Sequence, residues 1–483
     1  MMNTIFVRGA MLAVAVAFAT SCQTAAKTPA RPHNVIIFIA DGLRYGSVNP
    51  TDAPALAAVR DEGVDFTNSH SIYPTITTVN ASAIATGHAI GDTGNFGNNI
   101  YVGPLLPEAE YSRVAPFEND AVLKAMNARF GGNYLNEETL LAAARAKGFS
   151  VAALGKTGPA AIQDVTRVNE PGGIIIDDSF GTPEGPALPP GLLDEVKAAG
   201  LPTALPPRSM PNVAQQKWLA DIVGKVLLPR FKKNDKPFVI AFWSGNPDAA
   251  QHAQQDSRGK LIPGVNGPTS LAGIKNASDT LAALRAALKE QGLDATTDIF
   301  VTADHGFSTV SKESKTSNTM KTRFRDFPEG ELPQGFLALD VADALKLKVF
   351  EPNGAEVARE QGLSPRRGSA MLGEMFDDPR VVIAANGGSD EIWLTGDDAA
   401  QLAPKVVEFL TTQDYTAAIF VDDSFGPIPG ALPLSAIRLK GSARTPTPSI
   451  IVSFRSWHTD CAIVTQCTVE IADTSWKTGG GIH

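Results

Sequence analysis

Asn34-Val-Ile-Ile-Phe-Ile-Ala-Asp41-Gly42 is the stretch on which the fold turns: an unbroken apolar run from Val35 to Ala40, ended by an acid and a glycine. Alternating apolar and polar residues would leave one wet face, whereas a continuous apolar run fits a strand covered on both faces. Three more such runs follow, Val151 to Leu154, Phe238 to Trp243 and Ile299 to Ala303, each preceded by a stretch of helical character. Asn136 to Lys147 shows that character best, with Asn136 as the N-cap, an alanine- and leucine-rich body, and Gly148 closing it. Helix alternating with buried strand predicts an α/β fold, a three-layer sandwich around a mostly parallel central sheet. Such sheets bind ligands beyond the carboxyl ends of their strands. The residues found there are Asp41-Gly42, Gly155-Lys156, Ser-Gly-Asn-Pro-Asp248 and Asp304-His305-Gly306, so four strand ends are predicted to converge on one rim.

The 483 residues, 43% apolar and 19% charged, suffice for one large core and a smaller insertion. A net charge of -9 offers no broad basic surface, so no binding along a nucleic-acid polymer is expected, and phosphate would be held locally. Residues 1–22 have the form of an export signal: Arg8, an apolar run from Ala10 to Ala19, then Thr20-Ser21-Cys22. The end of that segment resembles a bacterial lipoprotein cleavage box. Two alternatives stand, a lipid anchor at Cys22 or ordinary cleavage after a small residue. Either way the protein is expected to be exported, to the periplasm or outer surface, with membrane attachment only through lipid, because the run is too short to span a bilayer. Cys461 and Cys467 would pair in an oxidising compartment and remain thiols in the cytosol. A polar, proline-bearing linker at 23–32 leads into a catalytic core at 33–311. From about Lys312 to Arg444 the texture changes to many Pro and Gly, with basic Lys321, Arg323 and Arg325, and reads as an inserted α+β cap over 312–444. The apolar run Ser449 to Phe454 predicts a return to the core sheet within 445–483, and the ending Thr478-Gly-Gly-Gly-Ile-His483 suggests that the chain lacks its last elements.

Two of the seven histidines lie in carboxylate pairs, Asp248-Ala-Ala-Gln-His252 and Asp304-His305. Oxygen and imidazole donors together suit zinc or a similar divalent ion. Each pair alone is equally well explained as a surface ion pair. Their positions at strand ends, with Asp41 at a third, bring three carboxylates and two imidazoles to one rim. Ester hydrolysis also needs a nucleophile, and Tyr73-Pro-Thr-Ile-Thr77-Thr78-Val-Asn80 leads into the small-residue segment Ala81 to Thr86-Gly87. A threonine in the first turn of that helix meets free amides that favour a phosphoryl group, and a neighbouring divalent ion would lower its hydroxyl pKa. Threonine also begins helices merely as a cap. Thr75, Thr77 and Thr78 are all candidates on this reading.

Taken in order, Asn34 to Gly42, Pro74-Thr-Ile-Thr77 through Thr86-Gly87, Pro247-Asp248-Ala-Ala-Gln-His252, Ala303-Asp304-His305-Gly306 and Gly481-Ile-His483 resemble the alkaline phosphatase superfamily. Within it the chain is similar to the type I phosphodiesterase/nucleotide pyrophosphatase group, whose nucleophile segment reads Pro-Thr-x-Thr-x-x-Asn and ends in Thr-Gly. The resemblance implies Thr77 as nucleophile with Asn80 at the group's asparagine position. It also implies a phosphoryl-steadying asparagine at Asn98, with Asn95 and Asn99 as rivals. It implies two zinc or other divalent ions about 4 Å apart, one held by Asp248, His252 and His483, the other by Asp41, Asp304, His305 and the Thr77 oxygen, with transient phosphorylation of Thr77. The chain departs from the group at Val79-Asn80-Ala81-Ser82, where Phe-Pro-Asn-His is usual. Lys156 stands where related phosphomonoesterases carry a Lys-x-Arg pair, and Gly158 takes the arginine position; Lys156 reads equally as a phosphate ligand or a surface cation. The implied substrate is a small-molecule phosphate ester, a nucleotide-like diester or pyrophosphate. Alternatives are an alkaline phosphomonoesterase, a phosphonoacetate hydrolase or, from another class, a non-catalytic metal-binding surface protein. Sulfatase activity is disfavoured, since neither Cys nor Ser replaces Thr77. His33, His70, His88 and His458 match no ligand position and read as structural or surface residues.

Overall fold

In the computed structural model, which describes residues 33–460 and 467–483, Asn34–Ala40 lies inside a five-stranded sheet. The order across it is Ile175–Asp177, Ser150–Gly155, Phe238–Ser244, Asn34–Ala40 and Thr297–Thr302, and every neighbouring pair is parallel. The export segment, the linker and Cys22 lie outside the described residues, as does Cys461; Cys467 is disulfide-bonded.

The apolar runs are continuous because helices cover both faces. Ile36, Phe38, Ile240 and Phe242 pack on one side against Ile274, Ala277, Leu281 and Leu284 of the long helix Pro268–Glu290. Ile39 and Trp243 point to the other side, toward Ala81 and Ala85 of helix Thr77–Thr86 and toward Ala161 and Ile162. The small side chains of Thr77–Thr86 let this helix lie close to its neighbours, and Gly87 ends it in the left-handed region at φ 73. Two expectations need correction. The Ile299 to Ala303 run is an edge strand, Thr297–Thr302, with Phe300 54% exposed, so its apolarity does not mark burial on both faces. The helix ahead of Ser150–Gly155 is Leu140–Ala146, capped by the Thr139 hydroxyl, which accepts from Ala142 N at 3.2 Å. Asn136 sits upstream at φ 63, where no helix begins.

A second sheet of seven strands occupies the region read as a cap. In spatial order it runs Leu432–Pro433, Thr416–Val421, Ile450–Phe454, Ser389–Leu394, Val381–Ala385, Ala370–Gly373 and Lys348–Phe350. Ile450–Phe454 therefore does not return to the parallel sheet: it pairs with Ser389–Leu394 and Thr416–Val421. One face of this sheet is covered by helices Phe336–Leu345 and Ala399–Thr411. From the other face Met371, Val382, Ala384 and Trp393 join the cluster that contains Ile39, Ile100 and Trp243. The shared apolar layer makes His33 to His483 one compact unit. A smaller sheet aligns Ser308–Ser311 with Gly481–Ile482, antiparallel, with Ile482 opposite Ser308. This pairing carries His483 back beside Asp304 and His305. Among the described residues no helix is long and apolar enough to cross a membrane.

Glu391, on strand Ser389–Leu394, is fully buried, and neither of its carboxyl oxygens has a hydrogen-bond partner. Burial pushes this carboxyl well above its ordinary 4.5. Folded chains therefore hold a proton there that unfolded chains release, so this group's contribution to stability declines as pH rises above 4.5. Glu391→Gln is expected to raise the unfolding free energy by about 1 kcal/mol or more at pH 8 and by less at pH 5. Urea denaturation at the two pH values measures the gap, and an equal effect at both would contradict the buried-acid account.

Candidate functional site

Backbone bonds tie three of the converging loops together. Asp41 N donates to Ser244 O at 3.1 Å, Asp248 N donates to Asp41 O at 2.9 Å, and Gly42 N donates to Asp304 Oδ1 at 2.9 Å. Gly42 has φ 71, and a Cβ there would stand 2.9 Å from the Phe307 ring, so this turn requires glycine. Asp41, Asp248 and Asp304 are 0%, 4% and 1% exposed. One oxygen of each is spoken for: Trp243 Nε1 donates to Asp41 Oδ2 at 2.7 Å, Lys156 Nζ to Asp248 Oδ2 at 3.1 Å, and Gly42 N and His305 N to Asp304 Oδ1. The other oxygens, Asp41 Oδ1, Asp248 Oδ1 and Asp304 Oδ2, are buried with no hydrogen-bond partner.

The imidazoles are oriented toward those oxygens. His305 Nδ1 donates to Gly306 O at 2.8 Å, leaving Nε2 at 3.4 Å from Asp41 Oδ1, 3.3 Å from Asp304 Oδ2 and 3.1 Å from Thr77 Oγ1. His252 Nδ1 donates to Gly481 O at 2.9 Å and its ring stacks on Trp476 at 3.9 Å, which sets Nε2 3.4 Å from Asp248 Oδ1. His483 has its ring 4.6 Å from that of His305, and its Nδ1 is buried without a partner. Two groups have donor atoms all within 4.8 Å: Asp41, Asp304 and His305, and Asp248, His305 and His483. The first corresponds to an expected ligand set. In the second His305 stands where His252 was expected, and His252 touches the group through Asp248. The remaining histidines are peripheral: His33 meets Asp298, His70 meets Asn68, His88 lies near Asp92 and Glu137, and His458 is exposed.

Thr77 is the first residue of its helix and is fully buried. Its Oγ1 lies 3.1 Å from His305 Nε2 and 3.5 Å from Lys156 Nζ. Thr78 Oγ1 instead donates to Gly97 O at 2.7 Å, and Thr75 is exposed. Asn80 is structural: its side chain accepts from Ile72 N at 2.7 Å and donates to Ile72 O at 3.0 Å, bracing the loop that leads to Thr77. Of the three asparagines, Asn98 is the one at the helix start, accepting from Thr78 N at 2.9 Å. Asn95 is buried and donates to Thr78 O, while Asn99 donates to Ala385 O in the second sheet.

Lys156 is an inward-facing residue with a side chain 17% exposed, 3.1 Å from both Asp41 Oδ2 and Asp248 Oδ2. Its third carboxylate partner, Glu118 Oε1 at 2.8 Å, carries no motif and could not be singled out from the chain alone. Trp243 was visible only as an apolar strand residue. Burial raises the Asp304 carboxyl and the charge of Asp41 raises it further, to about 8. Burial lowers His305, but Asp304 and Asp41 outweigh it and hold the imidazole up at about 9. Burial would raise Asp248 as well, yet Lys156 and His252 keep it well below the carboxylate range. A buried donor set of unpartnered carboxylate oxygens and oriented imidazole nitrogens fits divalent cations.

A family model for type I phosphodiesterase / nucleotide pyrophosphatase matches residues 35–351. Among curated proteins none matches. Among solved structures, phosphonoacetate hydrolase from Sinorhizobium meliloti 1021 is similar in its complexes with phosphonoformate and with phosphonoacetate. The TM-scores are 0.52 and 0.51 at 14% identity, over 94% of this chain and 87% of that chain. Murine ectonucleotide pyrophosphatase / phosphodiesterase 5, in an inactive form with AMP, gives a TM-score of 0.45 at 12% identity, over 94% of this chain and 84% of that one. The likeness to the two phosphonoacetate hydrolase structures bears on the fold.

Divalent-ion binding to the folded chain alone is expected to stabilise it by about 3 kcal/mol at a hundredfold excess over Kd, read as a rise in melting temperature on adding zinc and its reversal by chelator. Asp304→Asn is expected to diminish both the rise and the metal content by elemental analysis. Equal metal content in Asp304→Asn and the parent would remove Asp304 from the donor set.

Proposed function

The chain belongs to the type I phosphodiesterase/nucleotide pyrophosphatase family, and from that premise we propose that it hydrolyses nucleotide-like phosphodiesters or pyrophosphates by transient phosphorylation of Thr77. The observation that carries this reading is the placement of Thr77 Oγ1, at a helix start, between His305 Nε2 and Lys156 Nζ, while both competing threonines are committed elsewhere or exposed. Two zinc ions, one held by Asp41, Asp304, His305 and the Thr77 oxygen and the other by Asp248, His252 and His483, would supply positive charge that lowers the Thr77 hydroxyl pKa and offsets the negative charge of the phosphoryl oxygens.

The chain's own groups divide the remaining work. Thr77 stands at the start of helix Thr77–Thr86, the end of a helix that favours an anion, with its Thr78 amide held by Asn98 Oδ1. The Asn98 amide and the Lys156 ammonium lie beside Thr77 and hold the phosphoryl oxygens during in-line attack. Thr77 Oγ1 bonds to phosphorus, the bond to the departing oxygen breaks, and water later releases the phosphoryl group from the threonine. The export segment at 1–22 and the disulfide-bonded Cys467 support a periplasmic or outer-surface location, with Cys22 as the proposed lipid site.

Zinc-loaded protein is to be offered an aryl nucleotide diester, an aryl phosphomonoester and phosphonoacetate. Turnover of the diester is expected to dominate. Thr77→Ala is expected to lower kcat by at least about a thousandfold and to abolish phosphoryl-enzyme trapping, with metal content retained. Loss of trapping in Thr78→Ala but not in Thr77→Ala would move the nucleophile by one residue. Bound zinc with no turnover of any substrate would favour a non-catalytic metal-binding protein.

A further inference from the structure

We propose that Glu118 sets the charge preference of the phosphoryl pocket, favouring a phosphoryl centre with one negative charge over one with two; the proposal rests on the hydrolytic reading above. Glu118 Oε1 stands 2.8 Å from Lys156 Nζ, closer than the 3.1 Å to Asp41 or Asp248. Asp41 and Asp248 belong to the cation-donor groups, so once cations answer their charge, Glu118 is the carboxylate that remains to Lys156. The other oxygen, Oε2, lies 3.5 Å from Asn98 Nδ2. One carboxylate thus contacts both side chains assigned to the non-bridging phosphoryl oxygens. It cancels the ammonium charge, and a second negative charge delivered to those groups meets an anion already present.

The backbone enforces this arrangement. Gly158 has φ 90, and a Cβ there would lie 2.6 Å from Glu118 Cα and 3.0 Å from Phe117 O. No side chain, and hence no second cation, fits at position 158 while Phe117 and Glu118 hold their places. A diester, or the inner phosphorus of a pyrophosphate-linked nucleotide, presents one charge on its non-bridging oxygens, whereas a monoester presents two. The site is therefore built for the first two.

The test uses the full zinc-loaded chain with Glu118→Gln and Glu118→Ala. Calorimetry compares phenylphosphonate, as its dianion, with methyl(phenyl)phosphinate, a monoanion that has no ester bond to cleave; kcat/KM is measured in parallel for an aryl monoester and an aryl diester. Both substitutions are expected to raise the dianion-to-monoanion affinity ratio by at least about tenfold, and the monoester-to-diester ratio in the same direction. A ratio unchanged within about threefold, a parallel loss for both ions, or no binding of either ion by any form overturns the proposal. Absent ester turnover by the parent protein, with the phosphonate ratio shifted as expected, would sink the hydrolytic reading and leave the charge preference standing.

Discussion

Asp41, Asp248 and Asp304 bring three carboxyl groups into a space that water scarcely reaches, where their charged forms repel strongly unless cations or donors answer them. They stay together because the restraint is covalent and backbone in origin. Each follows a strand of one parallel sheet, and parallel strands bring successive carboxyl ends to the same edge. The bonds from Asp248 N to Asp41 O and from Gly42 N to Asp304 Oδ1 then join the loops directly. Repulsion is met in part by Lys156 and the Trp243 indole, and the oxygens left over face inward with the imidazoles. The same geometry that makes the site unfavourable without cations makes it a preorganised receptor for them.

That receptor needs a stiff frame, and the second sheet helps to supply it. Its inner face shares an apolar layer with Ile39 and Trp243, the side chains immediately ahead of the Asp41 turn and near the end of Phe238–Ser244. Asn386 reaches from the same sheet to Asn99, donating to Asn99 O at 3.0 Å while accepting from Asn99 N at 2.8 Å, one residue beyond Asn98. The region that reads as a cap is thus part of the wall behind helix Thr77–Thr86. A detached lid would not pack its strands into the layer that supports the strand ends.

How much of this was legible follows from what local chemistry can encode. Strand ends were readable because an unbroken apolar run stopped by Asp or Lys has one natural meaning in an open α/β sheet. Which sheet a run joins was not: Ile450–Phe454 is apolar enough for either, and only pairing with Ser389–Leu394 decides. The same holds for Thr297–Thr302, whose edge position cannot be seen from its own residues. At the start of helix Thr77–Thr86, Thr77 and Thr78 are chemically alike, and adjacent helical residues differ by about 100° in direction. Gly97 O claims one hydroxyl and the His305 side claims the other, a distinction made by residues distant in the chain. Lys156 is an isolated cation along the chain and acquires a role only from the three carboxylates around it, while Glu118 has no local signal at all.

His483 shows how far the placing of a candidate donor depends on long-range pairing. The segment that bears it is held from two sides. Ile482 and Gly481 pair with Ser308 and Thr309, the strand that follows Asp304 and His305, and Gly479 N donates to Val310 O at 3.0 Å. On the opposite side Gly480 N donates to Ser257 Oγ at 2.7 Å and Gly481 O accepts from His252 Nδ1 at 2.9 Å, tying it to the loop of Asp248 and His252. The two donor groups are therefore coupled through one strand as well as through His305. The His483 imidazole is thus positioned by both loops at once, and the two candidate donor groups share one structural support rather than two separate ones.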